Sequence, residues 1–172
     1  MKRMRFVVLA ELALGLALAL GCAAPDSGER TEPSGAVRGA EFRPVAQVLV
    51  ERCGSLDCHG SKYRNMHLYG FGSSRLAPGT LPEAPDTTQE EADRDYDAVV
   101  ALEPDLMRDV VREGGALPDR LTFVRKARGS EAHKGGSPIT RGDAADLCIL
   151  SWLASTVDQT ACRSAVPRLA TP

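Results

Sequence analysis

The sequence lacks the patterns that mark several common functions. It has no run of basic residues, and its 21 Lys and Arg residues against 23 Asp and Glu residues give a formal net charge of −2, so nothing in it indicates nucleic-acid binding. It has no P-loop, no GxSxG motif and no dinucleotide-binding glycine motif. No segment is repeated along the chain. The informative features are therefore few, and they include five cysteines.

The N-terminus has the pattern of an export signal. Three basic residues within the first five positions precede an apolar run at 7–20, which is too short to span a bilayer comfortably. We therefore predict a signal peptide over residues 1–21. Residues 19–22, Ala-Leu-Gly-Cys, resemble the cleavage site of bacterial lipoproteins. This resemblance implies that Cys22 is lipidated and anchors the protein in the cell envelope, facing the periplasm; an unlipidated secreted form is the alternative.

The residues that follow the signal have the composition of a linker. Residues 23–40 are rich in proline, glycine, serine and charged residues, with one bulky apolar residue, Val37. We expect residues 22–40 to form a lipid-anchored flexible tether. The remaining 132 residues, 41–172, are enough for one domain with a modest core.

The motif that carries chemistry is Cys-Gly-Ser-Leu-Asp-Cys-His at residues 53–59. Two thiols on one short turn can add to the two vinyl groups of a haem, and the adjacent imidazole is then the proximal ligand of the iron. The usual spacing has two residues between the cysteines, whereas four separate Cys53 from Cys58. The loop must bulge, which the small residues Gly54 and Ser55 permit. We predict one covalent haem c with His59 as the proximal ligand.

Two further uses of these cysteines remain open. Cys53 and Cys58 could form a disulfide in an oxidising compartment, and His59 would then be an ordinary surface histidine. A zinc ion could also bind Cys53, Cys58 and His59, with His67 or His133 as the fourth ligand.

The last two cysteines form a separate pair. Once Cys22 and the motif are assigned, Cys148 and Cys162 remain, so no thiol is left over. A disulfide between them would attach the C-terminal tail to a predicted helix; the alternative is a buried free thiol at Cys148.

Periodicity predicts an all-α domain. Apolar residues recur at helical spacing in five segments, and no segment has a clear β alternation. Glycines and prolines mark residues 61–86 as loop, and Thr140 with Asp143 is expected to cap the last helix. The predicted helices are 41–51, 88–102, 104–113, 121–126 and a segment after 143 that ends near 153.

These features resemble a class I c-type cytochrome with one haem. Residues 121–153, LTFVRKARGSEAHKGGSPITRGDAADLCILSWL, are similar to the end of planctomycete-type cytochrome c domains, in which an H-x-G-G element precedes the final helix. Here that element begins at His133. The resemblance implies a cytochrome c-like fold of four to five helices, with long Gly/Pro-rich loops around one haem. We expect helices bearing Phe42, Val48, Leu147 and Trp152 to pack against the porphyrin.

The resemblance implies a second axial ligand. Beyond the signal, methionine occurs only at 66 and 107. Met66 is too near His59 in the chain, so packing is its expected role, and Met107 lies among core positions of a helix. His133 is our first choice as the distal ligand and Met107 is the runner-up, followed by His67 and by a sixth position left open.

We therefore expect an envelope-anchored electron carrier. It would pass single electrons between redox partner proteins, contact the membrane through its N-terminal lipid, bind no nucleic acid and not be an enzyme. The main alternative is a non-haem lipoprotein interaction module with a Cys53–Cys58 disulfide. A weaker one is a ligand sensor or peroxidase-like protein with an open sixth position.

Overall fold

The computed structural model describes residues 35, 36, 38, 41–84 and 86–170, without the side chains of 169 and 170. The predicted signal peptide, the lipidation site at Cys22 and most of the predicted tether lie outside these residues. Within the described part, no helix is long and apolar enough to cross a membrane.

The described domain is all-α, as predicted. Its extended pairing is limited to an isolated bridge between Tyr69 and Ser74, and a 3-10 turn over Pro118–Arg120 precedes the fourth helix. The α-helices of the described part are α1 Arg43–Cys53, α2 Gln89–Val100, α3 Pro104–Arg112, α4 Thr122–Ala127, α5 Ala144–Leu153, α6 Gln159–Ala165 and α7 Pro167–Ala170.

An aromatic cluster joins three of these helices. Phe42 at the start of α1, Tyr96 on α2 and Trp152 on α5 are almost fully buried. The ring centroid of Phe42 lies 5.2 Å from that of Tyr96 and 5.0 Å from that of Trp152, distances at which aromatic pairs add about 0.5–1.5 kcal/mol beyond their buried area. These contacts fix α1 relative to the centre of the domain.

Two helix starts are set by side-chain caps. The Thr88 hydroxyl accepts the Glu91 amide hydrogen and the Glu91 carboxylate accepts that of Thr88, which forms a capping box at α2. At α5 the N-cap is Asp143, whose carboxylate accepts the Asp146 amide hydrogen. The expected contact between Thr140 and Asp143 is present, since the Thr140 amide donates to the Asp143 carboxylate at 2.9 Å, but the N-cap is Asp143 and not Thr140.

The C-terminal tail contains two helices that the periodicity did not predict. Helix α6 packs against α5 and α1, and Asp158 caps it by accepting the amide hydrogens of Thr160 and Ala161. Cys162 on α6 forms a disulfide with Cys148 on α5. The expected pairing is present, and both of its cysteines lie on helices.

The domain also includes chain that was assigned to the tether. Ala36 is buried, and its carbonyl oxygen accepts a hydrogen bond of 3.1 Å from the Tyr96 hydroxyl. The Arg38 guanidinium lies over the Tyr96 ring and forms a 2.8 Å ion pair with Asp97. Ala36 and Arg38 therefore pack against α2, and contacts with the domain begin before Glu41.

Buried ion pairs hold the two long loops in place. Arg75 in the loop between α1 and α2 donates two hydrogen bonds to the Glu91 carboxylate, at 2.8 and 3.0 Å. Arg128 at the end of α4 donates two to Asp146 on α5, at 2.7 and 2.9 Å. All four side chains are at most 5% exposed. Both loops are therefore attached to helices by pairs that are expensive to separate.

Removal of the disulfide tests the role of the C-terminal helices. Cys162→Ser should lower the free energy of unfolding by on the order of 3 kcal/mol, because the bridge closes a loop of about 15 residues in the unfolded chain. Denaturant unfolding of the two proteins measures the difference. Recovery of Cys148 and Cys162 as alkylated free thiols from exported, unreduced protein would contradict the pairing.

Candidate functional site

The domain contains a cavity of about 600 Å³ between α1, α4, α5 and the two long loops. Its volume lies within the range of about 300–1,000 Å³ that is typical of pockets for small molecules and cofactors. Three residues singled out in the sequence line it, namely Cys53, His59 and His133. Most of the remaining wall is apolar, formed by Leu49, Met66, Leu102, Phe123, Ala127, Ile139 and Ile149.

Cys53 is the last residue of α1, so the helix carries this thiol directly to the cavity. Cys58 is partly buried on the turn that follows but is not one of the lining residues. The two cysteines are not bonded to one another. Burial, followed by the nearby Cys58 thiol, raises the pKa of Cys53 to about 12. The Cys53 thiol is therefore protonated at neutral pH and a weak nucleophile for disulfide exchange.

The four-residue spacer is folded into a compact bulge. The His59 amide donates to the Cys53 carbonyl oxygen at 3.0 Å, and the Cys58 and Gly60 amides donate to that of Ser55 at 2.8 and 2.9 Å. A side chain at Gly60 would place its Cβ 2.1 Å from the Gly54 carbonyl oxygen, so the turn requires glycine there. The bulge expected from the long spacing is thus present, and backbone hydrogen bonds maintain it.

His59 is oriented by the loop that follows it. Its Nδ1 lies 2.9 Å from the Met66 carbonyl oxygen. A carbonyl oxygen can only accept, so Nδ1 carries the hydrogen and the neutral ring keeps a free lone pair on Nε2. Burial lowers the pKa of His59 below its ordinary value, although the bond to Met66 acts in the opposite direction. The ring is therefore a neutral imidazole with one nitrogen available for a ligand bond.

His133 reaches the same cavity from the loop between α4 and α5. Its Nδ1 is buried and has no hydrogen-bond partner among the described residues. A Cβ at Gly135 would lie 2.6 Å from its Nε2, so the ring packs closely against the backbone of the H-x-G-G element. An unpaired buried nitrogen is costly, which makes His133 a candidate for binding a group that the protein atoms do not supply.

The remaining candidate ligands lie elsewhere. Met107 is almost fully buried in the core on α3 and does not line the cavity. His67 is also outside the lining; its ring lies 4.1 Å from that of Tyr69, between centroids. Met66 does line the cavity, but the atom that acts on the site is its backbone carbonyl oxygen.

The wall residues that we expected are not those that the structure provides. None of Phe42, Val48, Leu147 and Trp152 lines the cavity. Leu147 is 48% exposed, while the other three are in the core. Helix periodicity therefore identified three core positions and one exposed position, and it could not say which buried face borders the cavity.

Two basic side chains add charge to the cavity. Arg64 and Lys126 both line it, and their positive charges, after that of His133, contribute to the lowered pKa of His59. The acidic residue in the lining, Glu103, is occupied by hydrogen bonds of 2.6 and 2.9 Å from the amide and hydroxyl of Thr122. The cavity is therefore bordered by two cations, of which Lys126 also forms a 3.6 Å ion pair with Glu131 and Arg64 donates a 3.3 Å hydrogen bond to the Asp57 carbonyl oxygen.

Comparison with protein-family models, with curated proteins and with solved structures finds no match for this chain. Among the described residues, no three His, Cys, Asp or Glu side chains are grouped so as to hold a metal ion by themselves. The assignment of the site consequently depends on its own geometry and chemistry.

Proposed function

We propose that the chain is a c-type cytochrome with one covalent haem and that it carries single electrons. Cys53 and Cys58 would hold the haem through thioether bonds, His59 would be the proximal ligand and His133 the distal ligand. The observation that carries the proposal is the presence of Cys53, His59 and His133 on one cavity, with the tautomer of His59 fixed by Met66. A cytochrome c-like fold is part of the same proposal.

The residues around the cavity fit such a group. An apolar wall suits a porphyrin, and the basic side chains of Arg64 and Lys126 suit its two propionate carboxylates. His133 lines the cavity, and its Nδ1 has no hydrogen-bond partner among the described residues, so no protein group fixes the ring through that nitrogen. When bound, the haem supplies a one-electron couple.

The protein would control that couple through its own residues. The Met66 carbonyl oxygen would make His59 a stronger electron-pair donor to iron by accepting its Nδ1 hydrogen. A second imidazole gives a lower reduction potential than a thioether, because a thioether favours ferrous iron more strongly. If the distal ligand is His133 and not Met107, we therefore expect a carrier with a lower reduction potential.

The cellular setting that we propose is the bacterial envelope. A lipid on Cys22 and a tether would hold the domain near the membrane, and redox proteins of the envelope would be its partners. We propose an electron carrier and not an enzyme. Under the competing function, an interaction module without haem, Cys53 and Cys58 would be joined by a disulfide.

Covalent attachment can be tested on a denaturing gel. Thioether bonds survive denaturation, so mature protein expressed with a haem-attachment system should retain haem-dependent peroxidase staining. Changing both Cys53 and Cys58 to Ala should abolish it, whereas the matched control, Cys148 and Cys162 both changed to Ser, should keep it. A colourless wild-type protein in which Cys53 and Cys58 are oxidised to each other would support the interaction module instead.

The distal ligand can be tested with three substitutions. His133→Ala should open the sixth position, so that the ferrous protein binds carbon monoxide, and Gly135→Ala should weaken the same bond because its Cβ displaces the His133 ring. Met107→Ala should lower stability by about 2–5 kcal/mol but leave the low-spin absorption spectrum intact. The assignment is wrong if His133→Ala remains low-spin and Met107→Ala does not.

A further inference from the structure

One buried carboxylate lies outside the cavity and does not contact the candidate haem ligands. Asp95, near the middle of α2, is fully buried. Its Oδ1 accepts a 2.8 Å hydrogen bond from the Tyr69 amide. Its Oδ2 is also buried and has no hydrogen-bond partner among the described residues. A carboxylate held in this way is unusual, because a buried charge normally has an ion-pair partner.

Asp95 holds the segment of loop that orients His59. Tyr69 lies three residues after Met66, whose carbonyl oxygen accepts the Nδ1 hydrogen of His59 at 2.9 Å. Between them, the Leu68 amide donates to the His59 carbonyl oxygen at 2.7 Å. The Asp95 contact is therefore the link between helix α2 and the short segment that holds both the ring and the backbone of His59.

The groups around Asp95 favour its neutral form. On its own helix, the charge that acts on Asp95 is that of Glu91, one turn earlier, which is paired with Arg75. The loop packed on α2 also carries His67 and Tyr69, and α1 carries the charged residues Arg43, Glu51 and Arg52. Burial raises the pKa of Asp95 to about 8; the Tyr69 amide opposes this shift and the Glu91 charge adds to it.

We propose that Asp95 is a positioning residue for His59 and that it gains or loses its proton as the charge of the site changes. The inference rests on the proposed function, since the charge that changes is that of a haem held by His59. A positive charge at the site favours ionised Asp95, and ionised Asp95 in turn favours the oxidised site. The reduction potential should therefore fall as pH rises.

The test measures the midpoint potential of the holoprotein between about pH 6 and pH 10, on either side of the pKa of about 8. The wild type should show a midpoint potential that falls as pH rises, with a limiting slope of about 59 mV per pH unit. This slope corresponds to one proton bound per electron, because about 59 mV is a tenfold change in the equilibrium constant of a one-electron couple. Asp95→Asn should remove the part of the slope that Asp95 supplies. The matched control is Glu90→Gln, which removes one charge from a position of the same helix outside the core and should keep the slope.

A second readout does not depend on the haem. Because the pKa of Asp95 is raised in the folded state, the folded protein binds more protons than the unfolded chain between about pH 4 and pH 8. The contribution of Asp95 to the free energy of unfolding should therefore fall as pH rises through this window, while the lowered pKa values of His59 and His67 act in the opposite direction in every variant. Asp95→Asn should remove that fall, and Glu90→Gln should leave it.

Infrared spectroscopy of the wild type keeps the inference testable even if Asp95→Asn fails to fold. The difference spectrum between oxidised and reduced protein should contain a protonated carboxyl band that shifts when aspartate side chains are labelled with carbon-13. The label separates Asp95 from the haem propionates. Absence of any labelled band would overturn the inference.

The failure of this inference differs from that of the proposed function. A protein with no visible absorption overturns the proposed function, and the link to potential with it. A coloured protein whose slope is the same in wild type and Asp95→Asn overturns only the role of Asp95.

Discussion

The site is organised around the hydrogen bond from His59 Nδ1 to the Met66 carbonyl oxygen. It determines which imidazole nitrogen carries the hydrogen, and it requires residues 59 and 66 to keep a fixed separation across a loop. That separation is maintained by a 2.7 Å bond from the Leu68 amide back to the His59 carbonyl oxygen. The Asp95 carboxylate then attaches the segment to α2 through the Tyr69 amide. A short loop, which on its own would be mobile, thus becomes one rigid wall of the cavity.

The loop that carries His133 is held by a buried ion pair. Arg128 and Asp146 are buried and doubly hydrogen-bonded, and they anchor the loop that carries His133 to α5. Removing one partner of such a pair typically costs about 3–5 kcal/mol, because the other charge is left buried and unpaired. Arg75 and Glu91 form a similar pair that anchors the loop between α1 and α2 to α2. Two separate loops, each attached to a helix by a buried ion pair, therefore bring His59 and His133 to the same cavity.

The sequence predicted helices α1 to α5 well. It predicted the lining of the cavity poorly. Helices α1 to α5 follow from recurring apolar positions, and the Cys53 to His59 motif identified part of the site. Helix α6 was missed because its buried residues are the small Ala161, Cys162 and Ala165, which give no recurring bulky apolar position. It is held by its packing and its link to Cys148. Phe42 and Trp152 were expected to face the porphyrin, but they lie in the core and pack on each other instead. Which buried faces border the cavity depends on contacts between distant segments, and the role of the Met66 carbonyl oxygen has no signature in residue type.

The proposed function requires that the cavity hold a covalently attached haem between His59 and His133. The visible absorption spectrum of the mature protein, expressed with a haem-attachment system and recorded with and without dithionite, tests this requirement without any substitution. We expect a coloured protein whose reduced form has the sharp bands of six-coordinate low-spin haem. A colourless protein with an unchanged spectrum after dithionite, or colour lost on extraction with acidified solvent, would contradict the proposal.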